Sequence, residues 1–291
     1  MMKKNSAFKK IDMLRKRYYS AIDGKQSIID LINEAETAEN VYNSNAIENS
    51  TLTLEETEKI LLQIDLDRFV SSREMFEATN LARVMSYIHK KAKTIELNEE
   101  IILLLHKMLI GNIQDEIAGR YRYKNEFVRV GSHIAPAPRE IKDRIKNALM
   151  EYYGNASAHI IQRIAKFHLD FEYTHPFVDG NGRMGRVINN LLFLREGYVT
   201  INIQFINRQQ YYDAFNEYNN QNRTEIMEEI IYKALLNSYH KRLAYIEGKK
   251  IVKLSQYAKK NKLSHSNLLN KAKRQTIEAF SEKGIWKIGV N

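Results

Sequence analysis

The chain has 291 residues, 44% hydrophobic and 27% charged, a composition typical of a globular protein with a sizeable core. It has no cysteine, which excludes disulfides and thiolate metal sites and favours a cytoplasmic protein, and no apolar run long enough to cross a membrane. All of the formal net charge of +10 lies in residues 241–291, which predicts a domain boundary near 241–250 and an anionic partner for this basic tail.

Helical periodicity dominates the first 110 residues. A capping box of Thr53 and Glu56 marks the start of one helix, because each side chain can accept a hydrogen bond from the other residue's backbone N–H. The predicted helices span about 7–19, 25–47, 53–63, 71–91 and 98–110.

A short extended segment interrupts the helices. Strand-forming residues, broken by Gly131 and then by two prolines, predict a hairpin or extended loop over about 125–135. Further helices are predicted over about 139–153, 156–174, 207–220 and 223–246. The body of the chain is therefore predicted to be nearly all α-helix.

Three glycines, Gly180, Gly182 and Gly185, follow one another closely in a chain where glycine is otherwise sparse. They precede an apolar helical run, which predicts a loop that opens a helix. The first backbone N–H groups of a helix are unpaired and lie at the positive end of its dipole, so this segment predicts an anion-binding seat.

Charged residues surround the predicted seat. Arg183 and Arg186 are three residues apart and project from one face of the helix, so they can clamp phosphate oxygens. Asp179 can hold Mg²⁺ or Mn²⁺ that bridges a polyphosphate, and His175 can act as a general base near neutral pH. Together they predict nucleotidyl or phosphoryl transfer.

The string from His175 to Arg186 matches the pattern H-P-F-x-[DE]-G-N-G-R-x-x-R at every defined position, and the chain resembles the Fic family over roughly residues 10–240. The resemblance implies a mainly α fold, a Fic-type helical core with a short β-hairpin flap. It implies transfer of AMP from ATP to a Ser, Thr or Tyr hydroxyl of a target protein, with release of pyrophosphate. Self-AMPylation is expected as well.

The resemblance also implies a role for each motif residue. His175 would deprotonate the target hydroxyl, Asp179 would coordinate the metal ion on the phosphates, and Phe177 would anchor the loop in the core. The residues that would bind the nucleotide phosphates are Gly180, Asn181, Gly182, Arg183 and Arg186.

Two outlying segments resemble family features that contact the nucleotide. One is the family's flap, which covers the nucleotide and pairs with the target backbone as an added strand; a plain β-turn is the alternative. The other is the adenine pocket, although periodicity alone would indicate core or interface packing. The flap residues are Val130, Gly131, Ser132 and His133, and the pocket residues are Tyr211, Tyr212 and Asn219.

A third segment fits the family's inhibitory pattern, [ST]-x-x-x-E-[GN], with Ser44, Glu48 and Asn49 at its defined positions. The resemblance implies an inhibitory helix over about 27–48 that acts in cis. We expect Glu48 to pair with Arg186 and to block the γ-phosphate site. Without the family, the same residues indicate a helix end with Asn49 as a left-handed cap.

The basic tail resembles a small winged helix-turn-helix of the excisionase-like kind. The second helix would enter a DNA major groove with Lys271, Lys273 and Arg274 near phosphates; a packing domain with a solvated basic face is the alternative. The elements predicted are helices at about 254–261 and 265–273, then strands at about 277–280 and 283–288.

We therefore predict three regions: N-terminal helices in 1–110, a Fic core with flap and motif in 111–240, and the tail in 241–291. The predicted partners are ATP, a target protein, the chain itself and DNA; assembly of identical chains stays open. Two alternatives to protein AMP transfer remain. One is phosphoryl transfer of the Doc type, against which the intact Gly-Asn-Gly-Arg string argues. The other is a DNA-binding regulator whose catalytic core acts mainly on itself.

Overall fold

The structure, a computed structural model, describes residues 4–131 and 133–290. Its helices are α1 Lys4–Ala21, α2 Gln26–Ile47, α3 Leu54–Leu61, α4 Ser72–Lys91, α5 Glu99–Ile110, α6 Ile141–Gly154, α7 Ile160–Thr174, α8 Asn181–Arg195, α9 Arg208–Gln221, α10 Glu225–Ile246, α11 Leu254–Lys260 and α12 His265–Lys273. Its strands are β1 Arg129–Val130, β2 His133–Ile134, β3 Lys250–Lys253, β4 Ala279–Glu282 and β5 Ile285–Val290. None of the described helices combines the length and apolarity needed to span a bilayer.

Local capping determines several helix starts. The Thr53 hydroxyl accepts from the Glu56 N–H at 3.1 Å and the Glu56 carboxylate accepts from the Thr53 N–H at 2.8 Å, so the predicted capping box is confirmed. The helix predicted from 139 begins instead at Ile141, because Pro138 opens a 3-10 turn before it. The helix predicted from 156 begins at Ile160, where the His159 ring accepts from the Ile161 N–H.

The predicted extended segment is confirmed but pairs over fewer residues. Strands β1 and β2 are antiparallel and pair Arg129 with Ile134 and Val130 with His133. The predicted flap residue Ser132 lies outside the described residues. Strand β3 was missed by the sequence prediction, although its Ile251 and Val252 are β-branched residues typical of strands.

Residues Asn40–Ile230 form one of two compact units. Helix α8 lies at its centre, where α7 packs on α6, α8 and α9, and α4 and α5 also pack on α8. Ile188, Leu191 and Leu192 of α8 are fully buried. Each contributes about 1.5–3 kcal/mol relative to an exposed side chain. The predicted motif helix is therefore the core helix of this unit, and its N-terminus is held firmly.

The other unit consists of residues up to Glu39 and from Ile231 onward. Its three-stranded antiparallel sheet has the order β3-β5-β4, with α11 and α12 between β3 and β4 in the chain. Leu254 and Ala258 of α11 pack with Leu268 and Ala272 of α12, and Trp286 of β5 lies against them. The division that we predicted at 110 and 240 remains a prediction.

Candidate active site

His175 caps the C-terminus of α7 in a left-handed conformation, with φ 46° and ψ 60°, and its N–H donates to the Phe171 carbonyl at 2.9 Å. The next residue, Pro176, disfavours right-handed helical geometry at His175 and cannot continue the helix. The chain therefore turns at His175 into the loop that leads to α8.

Phe177 anchors this loop. Its ring is fully buried and stacks on the ring of His106 from α5, with centroids 3.6 Å apart. The Gly119 N–H donates to His106 Nδ1 at 3.0 Å, so Nε2 carries the hydrogen and donates to the Asp179 carbonyl at 3.0 Å. Burial lowers the pKa of His106 to about 4, which keeps the ring neutral. His106 thus fixes two motif residues.

Asn181 uses its side chain to close the loop. Its amide accepts from the Phe177 N–H and donates to the Phe177 carbonyl, both at 2.9 Å. At Gly180 the backbone has φ 83°, and a Cβ there would lie 2.9 Å from Ile110 Cδ1. Only glycine satisfies both conditions without strain. Of the predicted seat residues, Gly180 and Asn181 therefore shape the loop, and the unpaired backbone N–H groups at the start of α8 are where the seat is predicted.

Glu48 lies against this helix N-terminus. A Cβ on Gly182 would meet Glu48 Oε1 at 2.1 Å, so the carboxylate oxygen is in contact with the glycine backbone. An anionic side chain is favourable at the positive end of a helix dipole. The carboxylate therefore lies beside the first turn of α8, where its hydrogen-bond donor is Arg186.

The predicted ion pair between Glu48 and Arg186 is present. Arg186 Nη2 donates to Glu48 Oε1 at 2.8 Å and to the Ser44 carbonyl at 2.8 Å, while Nε donates to Ser44 Oγ at 2.9 Å. Only 7% of the Arg186 side chain is exposed, against 39% for Glu48. Asn49 has φ 69° just beyond α2, the left-handed conformation expected of a helix cap.

Arg183 points to a different partner from Arg186. Its guanidinium contacts Asp179 Oδ1 at 3.2 Å and Glu77 Oε1 at 3.1 Å, and the second Asp179 oxygen accepts from Arg73 of α4. Burial raises the pKa of Asp179, but Arg183 and Arg73 outweigh it and hold the pKa below its usual value. The carboxylate is therefore ionised. Arg73 and Glu77 were not predicted, since nothing in their local sequence links α4 to the motif.

The His175 imidazole is kept neutral. Burial and, after it, the positive charge of Arg122 lower its pKa to about 4. The flap lies beside this end of α7, because His133 Nε2 bonds to the Tyr173 carbonyl at 2.9 Å and the two rings lie 4.6 Å apart. Val130 and Gly131 are exposed on the hairpin. A neutral base and an exposed strand edge are therefore neighbours.

The predicted adenine-pocket residues differ in their exposure to solvent. Tyr211 is 1% exposed, and its hydroxyl contacts Arg186 Nη1 at 3.3 Å and His168 Nε2 at 2.8 Å. Tyr212 is 38% exposed, and Asn219 is exposed seven residues later on the same face of α9. In this structure Tyr212 and Asn219 are exposed, although the Tyr212 hydroxyl donates to the Ile47 carbonyl at 2.9 Å, whereas Tyr211 is buried against Arg186.

Comparison with known proteins finds similar sequences. Residues 96–193 match the Fic/DOC family. The chain is 31% identical over 217 residues to "Protein adenylyltransferase Fic" of Nematostella vectensis, covering 72% of this chain and 49% of that protein. It is 30% identical over 216 residues to the protein of the same name from Drosophila willistoni, covering 69% and 43%. The chain thus spans about half the length of these relatives, or less.

Solved structures show the same fold. A Fic domain-containing signaling protein from Bacteroides thetaiotaomicron superposes with a TM-score of 0.73 at 22% identity, covering 82% of this chain and 97% of that one. A Fic family protein from Desulfovibrio desulfuricans gives a TM-score of 0.65 at 20% identity, covering 98% and 96%. The predicted mainly α, Fic-type fold is confirmed.

Proposed function

We propose that this chain, which belongs to the Fic/DOC family through its Fic domain at residues 96–193, transfers AMP from ATP to a hydroxyl side chain of a target protein. The observation that carries the proposal is a neutral base, His175, close to the first turn of α8, where Arg186 already binds an anion, the Glu48 carboxylate. The names of the relatives at about 30% identity support the same reaction.

In the proposed reaction the neutral His175 imidazole accepts the proton of a Ser, Thr or Tyr hydroxyl. The hydroxyl oxygen attacks the α-phosphorus, a new P–O bond forms, and the bond to the β-phosphate oxygen breaks, so pyrophosphate leaves with that electron pair. The backbone N–H groups at the start of α8, together with Arg183 and Arg186, stabilise the phosphate charge.

The donor set near the seat suits a metal ion that is held mainly by the nucleotide. Within residues 4–131 and 133–290 no cluster of three or more acidic or histidine side chains could hold a metal alone. Mg²⁺ commonly binds through one or two carboxylates plus substrate phosphates, and Asp179 offers one ionised, partly exposed carboxylate. Asp179 would hold Mg²⁺ or Mn²⁺, which when bound neutralises phosphate charge.

Glu48 is proposed to inhibit the enzyme in cis. Its carboxylate neutralises Arg186, which would otherwise bind the γ-phosphate, and repels an incoming phosphate from the seat. ATP can still bind through other contacts, but not with its α-phosphate placed for attack. The chain is also proposed to modify itself once this contact opens.

The flap hairpin and the adenine pocket also have roles in the proposed reaction. Val130, Gly131, Ser132 and His133 would cover the nucleotide and pair with the target backbone, and β1 is a two-residue strand with exposed side chains. Tyr212 and Asn219 would contact the adenine, with a ring face for stacking and an amide for the base edge.

Mass spectrometry tests the proposal. The Glu48→Gly variant is incubated with ATP and a cell lysate, with Glu48→Gly/His175→Ala as the matched inactive control. A gain of about 329 Da on a hydroxyl residue supports AMP transfer, whereas about 80 Da would mean phosphoryl transfer of the Doc type. No adduct beyond that of the double variant would contradict both reactions.

We also propose that the tail binds duplex DNA. The order β3-β5-β4, with α11 and α12 placed before the β4–β5 hairpin, is the arrangement of a winged helix-turn-helix. The hairpin turns at Lys283 and Gly284, both in left-handed conformation, as a two-residue wing requires. This topology, which extends beyond the matched Fic domain, favours DNA over a plain packing domain.

The charge of the two helices supports the same partner. Between Leu254 and Arg274 the sequence has no Asp or Glu. Six exposed Lys and Arg side chains lie there, and none of them forms an ion pair with a described residue. The outward face of α12 also exposes His265, Ser266, Asn267 and Asn270, whose polar groups can reach base edges. The six cations are Lys259, Lys260, Lys262, Lys271, Lys273 and Arg274.

Fluorescence anisotropy of the full chain on a random-sequence duplex tests DNA binding. If about five cations contact phosphates, log K falls with log salt at a slope of roughly −4 to −5. The triple variant Lys271→Gln/Lys273→Gln/Arg274→Gln should flatten the slope by about 3, while Lys91→Gln/Lys93→Gln, in the other unit, should not. No binding at about 50 mM salt would favour the packing domain.

Two further predictions concern the cellular location of the protein and its assembly. A cytoplasmic location follows from the absence of cysteine in the sequence. Assembly of identical chains is left open by the sequence. Cell fractionation addresses the first, and sedimentation velocity of the purified chain addresses the second.

A further inference from the structure

Arg122 is a buried cation that the reaction above does not use. It is 2% exposed, and no described carboxylate lies within ion-pair distance of it, although the charge of Glu126 acts on it from further away. Its guanidinium instead donates to four backbone carbonyls: His175 at 2.8 Å, Thr174 at 3.3 Å, Glu126 at 2.8 Å and Pro136 at 3.1 Å. Its own backbone N–H donates to the Pro176 carbonyl at 2.9 Å.

These acceptors belong to two functional segments. Thr174 and His175 are the turn that carries the catalytic base. Glu126 and Pro136 flank the hairpin of β1 and β2 on its two sides. The planar Arg122 guanidinium therefore joins the backbone at the catalytic base to both stems of the flap.

The chemistry of the residue suits this task. Guanidinium presents five N–H donors in a rigid plane, whereas lysine presents three donors on a single nitrogen and cannot bridge separated carbonyls in the same way. A buried cation without a carboxylate is energetically costly, and an apolar side chain of similar volume would be the cheaper filling. Packing alone therefore gives no reason for arginine at this position.

We propose that Arg122 is a positioning residue for AMP transfer, which holds the His175 backbone and the flap stems in one fixed position relative to each other. The inference rests on the proposed function, in which the flap presents the target hydroxyl and His175 removes its proton. A shift of about 1 Å between these two parts would cost around 100-fold in rate.

Other contacts hold the hairpin as well, and they supply a matched control. Arg120 forms a forked pair with the Glu126 carboxylate, both bonds at 2.8 Å, and makes no contact with His175. Loss of Arg120 weakens one side of the flap only. Loss of the Arg122 side chain removes its bonds to both flap stems and to the His175 turn, and leaves the His133 contact with Tyr173 as a remaining link.

Arg122 also acts on His175 through its charge. Apart from burial, the groups that influence the His175 pKa are Arg122 and His133, which lower it, and Glu48 and the Glu172 backbone, which raise it. Arg122→Met should therefore raise the His175 pKa towards its ordinary value near 6.5. Arg122→Lys keeps a positive charge and should leave it nearly unchanged.

The experiment compares Arg122→Lys, Arg122→Met and Arg120→Met, each made in the Glu48→Gly background. It measures kcat and KM for AMP transfer, the ATP Kd, the melting temperature, and the His175 pKa by imidazole NMR titration. We expect Arg122→Lys to lower kcat about 100-fold with an unchanged ATP Kd and an unshifted His175 pKa. Arg122→Met should lose as much rate and raise the pKa, and Arg120→Met should keep kcat within about threefold.

Each outcome of this experiment supports or contradicts the positioning role. If Arg122→Lys retains the parent kcat, or loses no more than Arg120→Met, the positioning role is wrong. If Arg122→Lys does not fold, Arg122 is a structural residue and the proposal is overturned. An inactive Glu48→Gly parent would instead contradict the proposed function. The NMR titration would still test the contact between Arg122 and His175 without any turnover.

Discussion

In the wild type the Glu48 carboxylate contacts Gly182 and neutralises the charge of Arg186. The Glu48→Gly variant loses this carboxylate. Arg186 stays oriented after the change, because Ser44 still accepts from Nε at 2.9 Å and from Nη2 at 2.8 Å. The γ-phosphate of ATP can then take the place of the carboxylate. The variant is therefore expected to gain activity, in contrast to most changes at an active site.

The magnitude follows from the contact that is lost. A hydrogen bond to a charged group contributes about 1.5–3 kcal/mol. Because 39% of the Glu48 side chain is exposed, solvent screening places its contribution near the lower end. Since about 1.4 kcal/mol corresponds to a tenfold change in rate, we expect self-AMPylation to rise by about tenfold or more.

The assay is incorporation of radiolabelled AMP by the wild type, Glu48→Gly and Glu48→Gln. Glutamine keeps the bulk but loses the charge, so an intermediate rate would assign part of the inhibition to occupancy of the seat. Glu34→Gln, at an exposed position of α2, the helix that precedes Glu48, is the control and should match the wild type. Arg186→Ala should depress the activity of Glu48→Gly, because the γ-phosphate clamp is then missing. Equal rates for wild type and Glu48→Gly would refute the inhibitory role and leave Glu48 as a helix-end residue.

His175→Ala should lower AMP transfer by about 100- to 10,000-fold while isothermal titration finds ATP binding largely intact, since His175 provides a base and no phosphate contact; near-full transfer would refute this. The His175 pKa of about 4 predicts that the rate of Glu48→Gly is flat from about pH 5 to 8, and a decline centred near 6.5 would contradict it. His106 and His168 have pKa values of about 4 and about 3, so between these values and 6.5 the unfolded chain binds more protons. The stability that these two rings contribute is therefore complete above pH 6.5 and falls as the pH drops towards 4, by about 2 kcal/mol per histidine at pH 5, which urea unfolding at pH 7 and 5 measures. Imidazole NMR signals of His106 and His168 that titrate near pH 6.5 would show that the rings are not held neutral.

Features that depend on near neighbours in the chain could be predicted from the sequence. The capping box of Thr53 and Glu56 joins residues three apart, and the turn at His175 is dictated by the proline that follows it. Gly180 was predicted to lie in the loop that opens α8 for the same reason. The contact between Glu48 and Arg186 spans 138 positions, and it was predictable only because the chain resembles a family with a known inhibitory pattern.

Partners on distant elements were decided by tertiary structure alone. His106 of α5, Arg73 of α4 and Arg122 of the loop before the flap all hold motif residues, yet each is unremarkable in its own segment. Tyr211 and Tyr212 are adjacent in sequence, but helix packing buries the first under Arg186 and leaves the second open. A side chain's periodicity tells which face of a helix it occupies. Which other element covers that face depends on how all the helices pack around α8, and no local pattern contains that information.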